Sequence, residues 1–298
     1  MIGIVILNYL NWWDTVELVN SIKKQSFNDF EIIIVDNNSG NESVEKLEKL
    51  YKSDSKIHLL VAKSNQGFAR GNNIGIDFAY NSLNIKKILL VNNDVLLFQE
   101  HYLEHLSKIE YSNNIGVIGT KILDSKNQNQ NPVYNVKSFK SACLGLLYNT
   151  LFFRIIRNYL RPFKQKLLKF NQQKNEFTEI KQDTRLSNSY MLHGSALFLT
   201  ENYLNVYPGL YPKTFMFFEE NILQHLLNRR KLKALYYDDL VVKHKEDQSS
   251  NAAFENIDVV KQTMLKDSWR EYLKLLLMTD KKINRTFLSV KTEKEIKF

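Results

Sequence analysis

Through its first 120 residues the chain alternates between short, almost unbroken apolar runs and longer stretches whose apolar residues recur every three or four positions. The runs Ile2–Asn8, Phe30–Asp36, Ile57–Ala62 and Lys87–Asn92 predict strands, and Trp12–Gln25, Ser43–Tyr51, Ala69–Tyr80 and Glu100–Glu110 predict helices. Runs such as EIIIVD and KILLVN have no polar face, so these strands are expected to be parallel and covered on both sides. Strands and helices in this alternation define an α/β layout whose ligands bind beyond the carboxyl ends of the strands. Further along, Ser189–Thr200 resumes the β pattern, Glu219–Lys231 predicts a helix and Ala234–Lys243 a returning strand. The tail from about Asn251 reads as helical and basic, and no segment repeats another.

Polar residues gather where the strands end. Asn8-Tyr9 follow the first strand, Asp36-Asn37-Asn38-Ser39 the second, and Asn92-Asn93-Asp94 the fourth, while Asn65-Gln66-Gly67-Phe68-Ala69-Arg70-Gly71-Asn72-Asn73 opens the third helix. Each group has a chemical and a plain reading. Asp36 can accept hydrogen bonds from a base or ribose, or it can form a turn and cap the next helix. Gly67, Gly71 and Gly75, spaced by four, allow close approach of a backbone or a diphosphate, with Arg70 supplying cationic donors, or they serve helix packing alone. Asp94 can bind a divalent metal that bridges two phosphates, or cap a helix. Glu219-Glu220, behind the aromatic run FMFF, can supply a general base, or stabilise a helix dipole.

Composition narrows the function further. At 298 residues and 44% hydrophobic, the chain can bury a real core, and its one cysteine, Cys143, excludes a disulfide framework and a multi-cysteine zinc module. The turn after the first strand, NYLNWWD, lacks the G-x-G-x-x-G of dinucleotide enzymes, and no P-loop occurs. Nicotinamide and P-loop ATP chemistry are therefore disfavoured. The amino terminus has no basic flank, and the best apolar stretch, Ala142 to Leu160, carries Arg154 and Arg157, so a cytoplasmic chain, free or attached to a membrane surface, is expected.

The net charge of +9 comes from one place: residues 125–175 hold ten basic and no acidic residues, leaving 31 basic and 32 acidic elsewhere. Arg154, Arg157, Arg161 and Lys164 share one helical face, which suits an anionic membrane surface; the plain reading is a solvated cover over an acceptor cleft. Nucleic acid is the electrostatic alternative, but no nucleic-acid-binding motif accompanies the charge. One competing motif is His101-Tyr102-Leu103-Glu104-His105, an H-x-x-E-H pattern that with Glu179 would make a zinc hydrolase.

In order, VILNYLNW, VDNNS, NQGFARGNN, LLVNND, HGSALFLT, FMFFEENIL and VVKHKEDQSS resemble the family 2 glycosyltransferases, particularly bacterial rhamnosyltransferase-like members that build surface polysaccharides such as capsule. The resemblance covers roughly residues 2–124 and 189–250. It implies a GT-A fold, a Rossmann-like and mostly parallel sheet flanked by helices, occupying residues 1–250. Residues 1–124 would bind the nucleotide sugar, 125–188 form a basic helical insertion, 189–250 the acceptor and catalytic part, and 251–298 a basic helical extension. The implied reaction is inverting transfer of a sugar such as rhamnose from a dTDP- or UDP-sugar to a lipid-linked or oligosaccharide acceptor, at the inner face of the cell membrane.

By the same resemblance Asn8, Tyr9, Asp36, Asn38, Gly67, Phe68, Arg70, Asn72, Asn73, Asn92, Asn93 and Asp94 would form the donor site, and His193, Gly194 and Ser195 would border the acceptor. NND stands where many relatives have D-x-D, with Asp94 at the metal-binding last position and His244 beside it, for Mg²⁺ or Mn²⁺. Glu220 stands where the family has its catalytic Asp, with Glu219 orienting the acceptor or stabilising the helix start. The rival classes are the zinc hydrolase and a non-catalytic nucleotide-binding protein.

Overall fold

A computed structural model describes residues 1–133, 186–187, 190–245, 257–289 and 294–298. The four early strands form as their apolar runs predict: β1 (Ile2–Asn8), β2 (Phe30–Asp36), β3 (Ile57–Ala62) and β4 (Ile88–Asn92). Helices α1 (Trp12–Lys23), α2 (Ser43–Tyr51) and α3 (Gly67–Asp77) connect them, and α3 runs on into a π-helical turn over Phe78–Ser82. β1 lies between β2 and β4, parallel to both, and β3 pairs in parallel with β2.

The rest of the sheet is mixed. After β5 (Val95–Leu96) and α4 (Tyr102–Lys108) comes β6 (Ile115–Leu123). Then follow β7 (Leu186–Ser187), β8 (Ala196–Leu199), the short α5 (Glu201–Leu204), α6 (Glu219–Arg229) and β9 (Lys233–His244). β8 inserts antiparallel between β4 and β6, and β9 pairs in parallel with β6 and antiparallel with β5 and β7. The chain closes with α7 (Ile257–Leu277), α8 (Asp280–Ser289) and β10 (Lys294–Ile296). The tail is thus not helical throughout: β10 pairs antiparallel with β3 and covers that edge of the sheet. The main strand order is β10-β3-β2-β1-β4-β8-β6-β9-β5.

Residue alternation feeds two cores, one on each face. Ile4, Ile6, Ile32, Ile34, Leu89 and Val91 face Leu18 and Ile22 of α1, Leu47 of α2 and Leu103 and Leu106 of α4. Val5, Ile33, Val35 and Leu90 face Ile74 and Ile76 of α3, Ile222 and Leu226 of α6, and Trp269, Tyr272, Ile283 and Phe287 of the last two helices. α3 can lie this close only because Gly71 and Gly75 lack side chains: a methyl there would sit 2.6 Å from Leu7 and 2.4 Å from Val5. Those two glycines therefore serve packing.

The basic segment with Arg154, Arg157, Arg161 and Lys164, together with Glu179, lies outside the described residues. Among the described residues no helix is long and apolar enough to cross a membrane.

Candidate functional site

The carboxyl ends of β1, β2 and β4, the start of α3 and the loop before β8 converge. Asn8 and Asp36 end adjacent strands in register and bond directly, Asn8 Nδ2 to Asp36 Oδ2 at 2.7 Å. Asp36 also accepts from the Ser39 amide at 2.9 Å and the Ser39 hydroxyl at 2.6 Å, while Thr15 donates to Asn8 Oδ1. Both residues are fully buried, so Asp36 fixes the turn at 37–39 by the plain mechanism its position allows. Asn38 is exposed at the tip with φ +61°, and Tyr9 lies half-buried on the neighbouring loop.

Asn37 carries the connection onward. Its amide donates to Asn65 Oδ1 and the Gly67 carbonyl, and its oxygen accepts the Gln66 N–H. Gly67 has φ +70°, and a methyl on it would lie 2.2 Å from the Phe215 carbonyl, so only glycine fits. Asn72 and Asn73 are structural in their visible bonds: Asn72 reaches the Phe68 carbonyl, and Asn73 bonds both the N–H and the carbonyl of Leu210. Arg70 has its Nε buried without a hydrogen-bond partner, a cationic donor left over at the start of α3. Such a donor suits a phosphate.

Asp94 is buried at the end of the strand pair, with Oδ1 lacking a hydrogen-bond donor. The same oxygen lies 3.4 Å from His244 Nε2. The other ring nitrogen, His244 Nδ1, lies 2.9 Å from Gln130 Oε1, an atom that only accepts; Nδ1 therefore carries the proton. His244 Nε2 is thereby turned towards the Asp94 carboxylate. A buried carboxylate beside an imidazole whose other nitrogen is already engaged is a ligand pair of the right chemistry for a divalent cation. Among the described residues no group of three or more His, Cys, Asp or Glu side chains could hold a metal, so phosphate oxygens and water would complete the shell.

Neighbouring backbone pins this pair. Asn93 donates to the Asn11 carbonyl, the Lys245 N–H to the Asp94 carbonyl at 3.0 Å, and the Asn92 N–H to the Ser195 carbonyl at 2.9 Å. Lys245 Nζ also binds Asp14 Oδ1 at 2.8 Å and pairs with Glu17, tying the end of β9 to α1.

The loop His193-Gly194-Ser195 joins the Asp94–His244 pair to the acids. The His193 ring meets the His244 ring edge-on at 5.6 Å, and its Nδ1 accepts the Ser195 N–H at 3.2 Å, which places the ring proton on Nε2. The Gly194 N–H donates to Glu220 Oε1 at 3.2 Å, and the Phe68 ring approaches the same glycine. Glu220 therefore lies at the HGS loop, with Phe68 at the start of α3 close by.

Glu219 does not. It lines a small cavity with Ala69, Leu210, Tyr211, Thr214 and Ile222, where both Glu219 Oε1 and Thr214 Oγ1 are buried without partners. Burial first, then the adjacent Glu220 carboxylate, push its acid up to about 8. Glu219 thus lies buried beneath the site at the first position of α6. Its folded form holds a proton that the unfolded chain releases, so this stability is present below the ordinary carboxylate range and is lost as pH rises towards about 8. Glu219→Gln, which cannot ionise, should show a flatter fall of Tm between pH 5 and pH 8 than wild type. Thermal unfolding across that range tests it, and parallel slopes would show Glu219 to be ionised throughout.

Two residues immediately before the pair are strained. Phe217 and Phe218 both adopt left-handed backbone, φ +74° and +71°, at a cost of about 1–3 kcal/mol each for bulky residues. The sequence carries no signal for this, nor for Gln130 as the partner of His244.

The zinc reading fares worse. Lys108 first, then Ser26, hold the Glu104 carboxyl down to about 2, and His101 Nδ1 is engaged by Ser26 and Glu104 on the surface. The rings of His101 and His105 stand 6.0 Å apart, and Glu179 lies outside the described residues.

Comparison with known proteins gives the class. Residues 3–179, more than half of the chain, match the model for glycosyl transferase family 2, and the chain belongs to that family. It is 30% identical over 148 residues to a low-salt glycan biosynthesis hexosyltransferase of Haloferax volcanii, covering 49% of this chain and 44% of that protein. It is 28% identical over 117 residues to a bifunctional glycosyltransferase of Dictyostelium discoideum, covering 39% of this chain and 15% of that one. The chain thus spans less than half the length of these curated relatives. A mannosyltransferase from Pyrobaculum calidifontis in complex with GDP-Man and Mn²⁺ shares the fold with a TM-score of 0.53 at 10% identity, over 97% of this chain and 73% of that one. The S. aureus TarS fragment 1–349 in complex with UDP-GlcNAc gives 0.50 at 14% identity, over 89% and 66%. The GT-A expectation is met.

Proposed function

We propose that the chain transfers a hexose or deoxyhexose, such as rhamnose, from a UDP- or dTDP-sugar to a hydroxyl of a lipid-linked or oligosaccharide acceptor in polysaccharide synthesis. The observation that carries this reading is the convergence at the strand ends of a buried Asp94 oxygen without a hydrogen bond, set beside His244, an Arg70 Nε without a partner and a Glu220 bonded to the Gly194 N–H. The family supports sugar transfer, and the named relatives act in glycan biosynthesis or are transferases.

In this reading Arg70 and the Gly67–Phe68 start of α3 bind the donor diphosphate, with Asn8, Asp36, Asn37 and Asn38 shaping the nucleoside end. Asp94 and His244 would hold a divalent Mg²⁺ or Mn²⁺, which when bound offsets negative charge on the diphosphate. Glu220 takes the proton of the acceptor hydroxyl while that oxygen attacks the anomeric carbon; the bond to the diphosphate breaks with its electron pair leaving on phosphate oxygen. His193, Gly194 and Ser195 border the acceptor, and the Gly194 N–H orients the base. Attachment to the inner face of the membrane would rest on the basic residues at 154–164.

A single displacement inverts the anomeric centre. Proton NMR of the first-formed product should show the configuration opposite to the donor's; a retained configuration would exclude Glu220 as the base of a one-step reaction.

A further inference from the structure

The aromatic segment ahead of the acid pair is anchored at three points. The Phe215 carbonyl accepts the Phe68 N–H at 2.7 Å, linking it to the start of α3. The Met216 carbonyl accepts the buried Ser268 hydroxyl at 2.7 Å, from α7. The Phe218 ring packs on Trp269 at 4.4 Å and Tyr272 at 5.8 Å, both also on α7. Between these anchors lie the two left-handed residues, Phe217 and Phe218, and the Phe218 carbonyl then accepts the Ile222 N–H at 2.9 Å. α7 lies beyond the residues matched by the family model.

We propose that α7 is a positioning element for the reaction: Ser268, Trp269 and Tyr272 hold Phe217–Phe218 in their left-handed turn, and that turn aims Glu220 at the Gly194 loop. Bulky residues abandon a left-handed backbone unless their surroundings over-determine it. Successive side chains on a helix diverge by about 100°, so relaxation of the turn by one residue's worth of rotation carries Glu220 off the acceptor and Glu219 out of its cavity. The anchor at Phe215 lets the same segment sense the donor loop, because its partner Phe68 follows Gly67. The inference rests on Glu220 as the base, and it adds that the tail aims it.

Ser268→Ala removes one hydrogen bond and leaves the aromatic packing, so the fold survives. It should lower kcat by about tenfold or more while donor Kd and KM stay within about twofold, since misplacing a reacting group affects chemistry before binding. Adding Phe217→Gly, which accepts positive φ without strain, should restore at least a threefold part of the lost kcat. A merely structural Ser268 would lower Tm, leave kcat unchanged and gain nothing from the glycine; that result overturns the proposal, as does a kcat loss that Phe217→Gly does not relieve. Glu220→Gln run alongside separates the two ideas. If it retains turnover, the base assignment fails; if it loses turnover while Ser268→Ala does not, only the role of α7 fails.

Discussion

Glu220→Gln is expected to lower sugar transfer by roughly 10² to 10⁴ and to leave donor affinity near wild type. The amide keeps the size of the side chain and can still accept the Gly194 N–H through its oxygen, so the HGS loop keeps its contact. What it loses is the ability to take a proton from the acceptor. Glu219 cannot substitute, because its free oxygen points into the cavity beside Thr214 rather than towards the His193 loop. The variant pair therefore separates the acids: Glu220→Gln stops turnover, while Glu219→Gln keeps most of it and changes the pH dependence of stability. Single-turnover transfer, measured beside donor binding, checks both. A wild-type rate in Glu220→Gln would remove the acid pair from the chemistry.

Asp94→Ala should abolish the dependence of donor binding on added Mn²⁺ or Mg²⁺ and leave the fold intact. The physical basis is asymmetric. Asp94 contributes its backbone carbonyl to Lys245 and its backbone to the strand turn, and alanine preserves both. Its side-chain Oδ1 has no hydrogen bond to lose, and its contact with His244 Nε2 at 3.4 Å is long, so truncation removes little structural support. Thermal stability without metal should therefore hold. A fall of several degrees in Tm would mark Asp94 as a structural carboxylate, and unchanged metal-dependent binding would place the cation elsewhere.

The first four strands were legible because parallel strands buried on both faces need unbroken apolar runs, and Ile2–Asn8 and Phe30–Asp36 are such runs. β6 was not, since Gly116, Gly119 and Thr120 interrupt it; its glycines admit Leu227 and Leu192, contacts that only the assembled fold creates. β10 is three residues long and exists through its pairing with β3, so no local pattern announces it.

At the site, the clustering of Asn8, Asp36 and Asp94 follows from strand order alone, but whether an Asp fixes a turn or waits for a ligand depends on which partners surround it. Asp36 has its hydrogen bonds supplied and Asp94 does not. Glu219 and Glu220 are chemically equivalent in sequence, and only the left-handed Phe217–Phe218 turn decides which one is buried. The contacts of Gln130 with His244 and of Ser268 with Met216 span more than fifty residues and leave no periodic trace.

Calorimetric titration of UDP-, dTDP- and GDP-sugars in the presence of Mn²⁺, on wild type, Asp94→Ala and Glu220→Gln, tests the central claim most directly. The account predicts that at least one donor binds wild type at a single site, that Asp94→Ala loses the metal-dependent part of that binding, and that Glu220→Gln binds as wild type does. Absence of binding by every donor, or equal binding by wild type and Asp94→Ala with and without Mn²⁺, would contradict it.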